Sequence, residues 1–151
     1  MLIWPANTVT TTNRHDFLDM SGLFCLVCRD EPHHRQAVEA YQSNRDRLTQ
    51  DLVLAEFVSL ANTRKMPRQD ALDLVSRVAT SSDVEVVWTD RELFFEALDL
   101  LHARRDKSYS LCDAMSFVIM RERGLTDALS TDRHFEQEGF RRLLVYVIPA
   151  A

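Results

Sequence analysis

Chain breakers and cysteine are scarce in this sequence. Of 151 residues, three are glycine, four are proline and three are cysteine. The length suits a single domain, and beyond the first residues no segment has the low complexity of a linker. No apolar run reaches the ~18 residues that a membrane helix needs. The start lacks the basic and apolar stretches of a secretory signal. These absences predict one cytoplasmic domain without a membrane segment.

An excess of basic residues is also missing, since the formal net charge is −5. This balance excludes a protein that holds nucleic acid by bulk positive potential. A cluster of metal-binding acids would account for much of the negative excess. Any contact with nucleic acid would then depend on local basic patches and a bridging metal ion.

Two of the three cysteines, Cys25 and Cys28, have the CxxC spacing of a zinc or redox pair. An odd cysteine count argues against a disulfide framework, and no second pair completes a zinc site. Both lie in the apolar helical run LFCLVC, where free cysteine behaves as a small hydrophobic residue. Core packing is therefore the favoured interpretation.

Short apolar strands alternate with helical stretches from residue 15 onward. The strands are predicted at 15–20, 84–88, 127–131 and 143–148. The helices are predicted after Ser21, at 33–46 and 52–64, after Pro67, at 90–104, after Asp113 and in the turn 132–139. This alternation predicts an α/β fold, a three-layer α/β/α sandwich around a mostly parallel sheet. Residues 15–151 form the predicted domain, and residues 1–14 are predicted to be a flexible lead-in.

Four acids stand out by their positions. Asp19 ends the first strand, Asp132 follows the strand 127–131, Asp113 opens a helix and Glu56 lies early in an apolar helix. Carboxyl ends of parallel strands meet at one edge, where α/β proteins bind ligands. Carboxylates gathered there would need raised pKa values or a cation, and oxygen ligands favour Mg²⁺ or Mn²⁺. Each acid also has an ordinary interpretation as a cap, turn or solvated residue, and spacing alone does not decide.

Five motifs in a fixed order extend this pattern. They are Phe17-Leu18-Asp19-Met20-Ser21-Gly22-Leu23, Asp30-Glu31-Pro32-His33-His34, Leu54-Ala55-Glu56-Phe57, Ser110-Leu111-Cys112-Asp113-Ala114, and Ser130-Thr131-Asp132-Arg133-His134-Phe135 followed by Gly139-Phe140. Together they resemble the PIN-domain ribonucleases, and among these the VapC-type toxins of type II toxin–antitoxin pairs. Met20 and Cys112 depart from the hydroxyl residues that the family commonly has there.

The resemblance implies endonucleolytic cleavage of RNA by metal-activated water. Asp19, Glu56, Asp113 and Asp132 would be the catalytic acids and the ligands of Mg²⁺ or Mn²⁺. Ser21 and Ser130 would orient the acids or the phosphate. The resemblance further implies an antitoxin protein as partner and a homodimer. Two alternatives stay open, a PIN nuclease of RNA processing and a non-catalytic RNA-binding or scaffold module.

Several other side chains have two interpretations. The basic residues Arg104, Arg105, Lys107 and Arg133 are candidate RNA contacts or solvated surface charges. His134 is a candidate general base, but a structural role is favoured because a metal ion already lowers the pKa of water. Trp88, Phe135 and Phe140 are predicted to lie in the core.

Overall fold

A computed structural model describes residues 3–5, 15–43 and 46–146. Five parallel strands form one sheet in the order β3-β2-β1-β4-β5. The strands are β1 His15–Leu18, β2 Asp46–Gln50, β3 Val84–Val87, β4 Asp127–Leu129 and β5 Arg141–Arg142. The helices are α1 Met20–Val27, α2 His34–Ser43, α3 Asp51–Thr63, α4 Arg68–Thr80, α5 Arg91–Ala103, α6 Leu111–Glu122 and α7 His134–Gln137.

The strand order sorts the helices into two layers. From β1 the chain steps outward to β2 and β3, then crosses back to β4 and on to β5. Because parallel crossovers are right-handed, α1–α4 cover one face of the sheet and α5–α7 cover the other. The helix contacts agree, since α1 packs on α2 and α3, α3 on α4, and α6 on α5 and α7. The predicted three-layer α/β/α sandwich is confirmed.

The direction of the strand order reverses between the central strand β1 and its neighbour β4. Leu18 and Leu129, the last residues of these two strands, are register partners. The chain leaves β1 toward one helical layer and leaves β4 toward the other. This divergence opens a crevice at the carboxyl edge, the position where doubly wound proteins bind ligands.

Strand β2 is absent from the sequence-based prediction, which ran a helix to residue 46 and began the next at 52. The strand reads DRLTQ, and its buried residues include Arg47, Thr49 and Gln50. Each polar side chain has an internal partner: Thr49 Oγ1 donates to the carbonyl of Leu18 over 2.7 Å, and Arg47 lies over the Tyr41 ring. The polar composition of β2 therefore hid an inner strand, whose polar side chains make contacts inside the protein although Gln50 Oε1 is buried without a hydrogen-bond partner in the described ranges.

Two further expectations are corrected. The last strand covers Arg141–Arg142, and residues 143–146 are not strand, while 147 and 148 lie outside the described residues. Trp88 is 62% exposed instead of buried, because it follows edge strand β3 at the point where the chain turns toward α5. Phe135 is fully buried and Phe140 packs against the core. Cys25 and Cys28 pack as small apolar side chains, and burial raises the pKa of each thiol to about 11.

The start of the chain is described only over residues 3–5. Trp4 packs edge-on against Tyr41 of α2, with ring centroids 5.1 Å apart, and its Nε1 donates to the tyrosine hydroxyl over 3.1 Å. The rest of the predicted lead-in, residues 1–2 and 6–14, lies outside the described residues, so its flexibility stays a prediction. Within the described ranges, none of the helices has the length and hydropathy to cross a membrane.

Candidate active site

Asp19 is the first residue after β1 and the N-cap of α1. Its Oδ2 accepts hydrogen bonds from Ser130 Oγ at 2.7 Å and from Ser21 Oγ at 3.1 Å. The helix predicted to start after Ser21 begins at Met20 instead, so Ser21 lies within α1. Its Oγ also accepts from the Thr131 backbone N–H over 3.0 Å. The first and last motifs of the sequence are thus joined at the carboxylate of Asp19.

Gly22 makes this junction possible. A Cβ at this position would lie 2.0 Å from the backbone oxygen of Leu129, so any larger residue would push α1 away from β4. The close approach also lets the Asp19 backbone N–H donate to the same Leu129 oxygen over 3.3 Å. Glycine in the first motif therefore sets the distance between Ser21 and Ser130.

Asp113 is the third residue of α6, and Ser110 caps that helix. Ser110 Oγ accepts from the Asp113 backbone N–H, and Asp113 Oδ2 accepts from the Ser110 N–H, each over 3.0 Å. This capping box satisfies two N–H groups at the helix start. The carboxylate is thereby fixed at the carboxyl edge of the sheet, with Oδ1 left for another ligand.

His134 connects Asp113 with Asp132. Its Nδ1 lies 2.9 Å from Asp113 Oδ2 and 3.4 Å from Asp132 Oδ2. Its backbone N–H donates to Asp132 Oδ1 over 2.9 Å, and its ring packs edge-on against Tyr109. One ligand atom from each of Asp113, Asp132 and His134 lies within 4.8 Å of the others, a grouping suited to a metal ion. His134 was not among the predicted metal ligands, although its position two residues after Asp132 indicated that it would lie near the acids.

The charges of the acids act on one another. Burial raises the pKa of Asp19 to about 6, and the negative charges of Asp113 and Asp132 add to this rise, while hydrogen bonds from Ser130 and the Met20 backbone oppose it. Three of the predicted acids therefore share one electrostatic site. A buried carboxylate with a raised pKa is typical of a functional site.

Glu56, on α3, lies outside the close grouping of Asp113, Asp132 and His134 and interacts with it through Cys112 and the charge of Asp113. Burial raises its pKa, the charge of Asp113 raises it further, and a hydrogen bond from the Cys112 thiol opposes the rise. Burial and the charge of Glu56 raise the pKa of the Cys112 thiol in turn, so Cys112 is a protonated donor, as the family's hydroxyl would be. The neighbouring Gln50 donates through Nε2 to the Cys112 carbonyl over 2.9 Å and fixes the start of α6.

The donor set fits a divalent cation. No arginine or lysine of the described ranges forms an ion pair with Asp19, Glu56, Asp113 or Asp132. The polar contacts of these acids are hydrogen bonds and the His134 imidazole ring. Carboxylate oxygens are the preferred ligands of Mg²⁺ and Mn²⁺.

The four basic residues predicted to contact RNA are placed differently from one another. Arg104 is bound to Glu138, with Nη2 3.2 Å from Oε1, so its charge is already matched. Lys107 forms a 3.5 Å pair with Asp106 at the surface. Arg105 and Arg133 are exposed, and Arg133 directly follows Asp132. Lys107 is exposed as well, so three of the four remain available to a ligand and Arg104 does not.

Comparison with known proteins identifies the class that this fold and site define. The PIN domain family model matches residues 17–140. The chain belongs to the PIN domain family, and the predicted resemblance to its VapC-type members is confirmed. The matched span contains all four acids, from Asp19 to Asp132.

Individual relatives agree with this assignment. The chain is 33% identical over 125 residues to the 23S rRNA-specific endonuclease VapC20 of Mycobacterium tuberculosis, covering 82% of this chain and 94% of the relative. The crystal structure of that protein, described as a sarcin-ricin loop cleaving toxin, superposes with a TM-score of 0.76 at 27% identity, covering 83% of this chain and 95% of the other. The structure of PAE2754 from Pyrobaculum aerophilum matches with a TM-score of 0.55 at 18% identity, covering 86% and 89%, which concerns the fold alone.

Proposed function

We propose that this protein is a metal-dependent endoribonuclease that hydrolyses RNA phosphodiester bonds in the cytoplasm, and that it is the toxin of a toxin–antitoxin pair. The observation that carries this proposal is the set of electrostatically coupled acids, Asp19, Asp113 and Asp132 with Glu56 of α3 coupled to Asp113, none of them paired with an arginine or lysine of the described chain. The relation to VapC20, named as a 23S rRNA endonuclease, supports the reaction class.

Asp19, Glu56, Asp113 and Asp132 are the proposed ligands of Mg²⁺ or Mn²⁺, directly or through water. A bound divalent cation would lower the pKa of water and offset the negative charge of the scissile phosphate. His134 would hold Asp113 and Asp132 in their relative positions through Nδ1. This positioning role needs no proton transfer by the imidazole.

The two serines are proposed to fix the direction of Asp19. Because Ser21 and Ser130 both donate to Oδ2, Oδ1 of the same carboxylate is left without a side-chain donor in the described part of the chain. Ser130 Oγ also accepts from the Asp132 backbone N–H over 2.9 Å, so one hydroxyl orients two acids. Loss of either serine should misplace an acid without removing its charge.

RNA and protein partners complete the proposal. Arg105, Lys107 and Arg133 would contact RNA phosphates, which makes binding weaker as salt rises. Arg104 is a weaker candidate because Glu138 already holds its guanidinium. An antitoxin would neutralise the acidic pocket by inserting an arginine, and the active protein would be a homodimer.

The proposal is tested by thermal unfolding with and without Mn²⁺, combined with cleavage of labelled RNA. Binding at a hundredfold excess over Kd should stabilise the wild type by about 2.7 kcal/mol. Asp113→Asn should lose both the Mn²⁺ shift and cleavage, whereas Asp73→Asn, which changes an exposed acid on α4, should keep both. A wild type that Mn²⁺ does not stabilise, or that leaves RNA intact, would contradict the proposal.

A further inference from the structure

A cavity of about 220 Å³ adjoins the acidic site. It is lined by Glu31, Pro32, His33, Thr131, Arg142, Leu144 and Tyr146. Thr131 belongs to both places, because its backbone N–H donates to Ser21 Oγ over 3.0 Å and Asp132 follows it in the chain. A group held in the cavity would therefore lie one residue away from the acids.

Tyr146 forms an aromatic wall of this cavity. Its ring centroid lies 4.6 Å from that of His33, with the planes tilted by 50°, and the tyrosine is 78% exposed. His33 is itself buried, and its Nδ1 contacts Gln36 Oε1 at 3.0 Å. The tyrosine thus rests on a fixed ring and offers the rest of its surface to a ligand.

Arg142 supplies an oriented donor. Its Nη1 donates to the Thr131 carbonyl over 2.7 Å, and its Nε donates to Glu136 Oε1 over 3.0 Å. Its Nη2 makes no hydrogen bond within the described chain. Since the guanidinium is held at two of its nitrogens, the third can meet an acceptor without further loss of side-chain freedom.

The charges favour a neutral ligand over a free phosphate. Arg142 is already matched by Glu136, and the cavity wall contains a second carboxylate, Glu31, paired with Arg64 at 2.7 Å. An anion would meet a carboxylate there. A neutral ring with acceptors on its edge suits an aromatic wall and the Nη2 group of Arg142, which is unpaired among the described residues.

We propose that this cavity binds an unpaired nucleobase of the RNA, next to the scissile phosphate, stacked on Tyr146 with its edge toward Arg142. Proteins read single-stranded RNA by stacking unpaired bases on aromatic rings and hydrogen-bonding their edges. This inference rests on the proposed ribonuclease function and adds a determinant of which RNA is cut.

The test uses ion-free protein in EDTA, so that RNA is bound without being cut. Single-stranded RNAs of about 12 nucleotides, random except for 2-aminopurine at one position, report binding by anisotropy and stacking by quenching. Tyr146→Leu should weaken binding about tenfold and remove the quenching, while Tyr146→Phe should keep both. Trp88→Leu is the matched control, because Trp88 is also exposed but follows β3, at the opposite edge of the sheet from β5.

The possible outcomes distinguish failure of the base-binding cavity from failure of the proposed ribonuclease function. Equal affinity and quenching in wild type and Tyr146→Leu would overturn the base subsite, even if RNA is still cleaved when Mn²⁺ is added. Failure of the wild type both to bind and to cleave RNA would remove the proposed function and the subsite together. Tyr146 is an exposed residue, so its variants should fold; Arg142→Gln also loses bonds to Thr131 and Glu136 and is therefore secondary.

Discussion

Two buried carboxylates in this protein have opposite surroundings. Glu138 accepts hydrogen bonds from Arg121 at 2.8 Å, Arg104 at 3.2 Å and Tyr109 at 3.0 Å. Burial alone would raise the pKa of Glu138, but these donors outweigh it and hold the pKa below its usual value. Asp19 has only two hydroxyls and backbone N–H groups as donors, and burial raises its pKa to about 6.

The difference separates an acid that holds the fold together from one that prepares a site. Glu138 joins α5, α6 and the loop 104–110 to the segment after α7, and its charge is fully matched. Asp19 is left with excess negative charge by its neighbours, a condition that a cation would relieve. Burial therefore does not identify the functional acid; the identity of its partners does.

The largest contrast is expected in catalysis. Asp19→Asn should reduce RNA cleavage about a thousandfold, because the loss of several kcal/mol of metal-derived stabilisation corresponds to about three powers of ten. Glu138→Gln should keep nearly the wild-type rate per folded molecule. Cleavage of labelled RNA in Mn²⁺, normalised to the folded fraction by circular dichroism, measures both. Equal losses in the two variants would mean that the two acids do not differ in role.

The next largest effect is expected in the free energy of unfolding, where the Glu138 variant should lose more than the Asp19 variant. Glu138→Ala should destabilise the protein by about 2–3 kcal/mol, because the hydrogen bonds to a buried carboxylate are lost while the two half-exposed arginines left behind are rehydrated. Urea unfolding in EDTA gives the free energy. Glu122→Ala is a suitable control, since it removes an exposed carboxylate from the end of α6. A loss below about 1 kcal/mol, as is usual for surface pairs, would show that this cluster is not structural.

Asp19→Asn is expected to stabilise the ion-free protein. Its folded pKa of about 6 lies above the ordinary value of 3.8, so the folded state binds more protons between these values. The stability of the wild type should then fall as pH rises from about 4 to about 6, by at most about 3 kcal/mol, and stay level above. The Asn variant lacks this titration, and its unfolding free energy should exceed that of the wild type at pH 7.

Mn²⁺ provides the control for that prediction. Mn²⁺ should raise the stability of the wild type at pH 7, because the bound ion offsets the negative charge of the Asp19 carboxylate. It should leave Asp19→Asn nearly unchanged, because the asparagine side chain does not carry that charge. Unfolding free energies at pH 4, 5, 6 and 7 in EDTA give the slope. A wild type whose stability does not fall in this window would contradict the assigned burial of an uncompensated acid at Asp19.

The sequence was sufficient to predict the position of a residue where that position depends on its chain neighbours and on the strand it follows. The positions of Asp19 and Asp132 at the carboxyl edge were predictable because Asp19 directly follows β1 and Asp132 lies in the loop after β4, in a parallel sheet. Gly22 stood in the motif whose close approach to β4 it permits. Strand β2 was not predictable, because Thr49 and Gln50 donate hydrogen bonds to groups 31 and 62 residues away in the chain. The pairing of Arg104 with Glu138, 34 residues away, was likewise not predictable from the sequence. Arg104 therefore differs in role from Arg105 and Lys107, with which it had been grouped as an RNA contact.

The smallest predicted effect sharpens the description of the Glu138 cluster. Tyr109→Phe removes one hydroxyl donor, and a hydrogen bond to a charged group contributes about 1.5–3 kcal/mol. The loss should fall near the low end, about 1.5 kcal/mol, because Arg104 and Arg121 still bind the carboxylate and the ring keeps its edge contact with Phe117. Cleavage should be unchanged, since the ring that packs against His134 is retained. Unfolding in urea and RNA cleavage on the same samples decide. If Tyr109→Phe instead cleaved RNA more slowly at unchanged stability, the Tyr109 hydroxyl would belong to the active site and not to the structural cluster around Glu138.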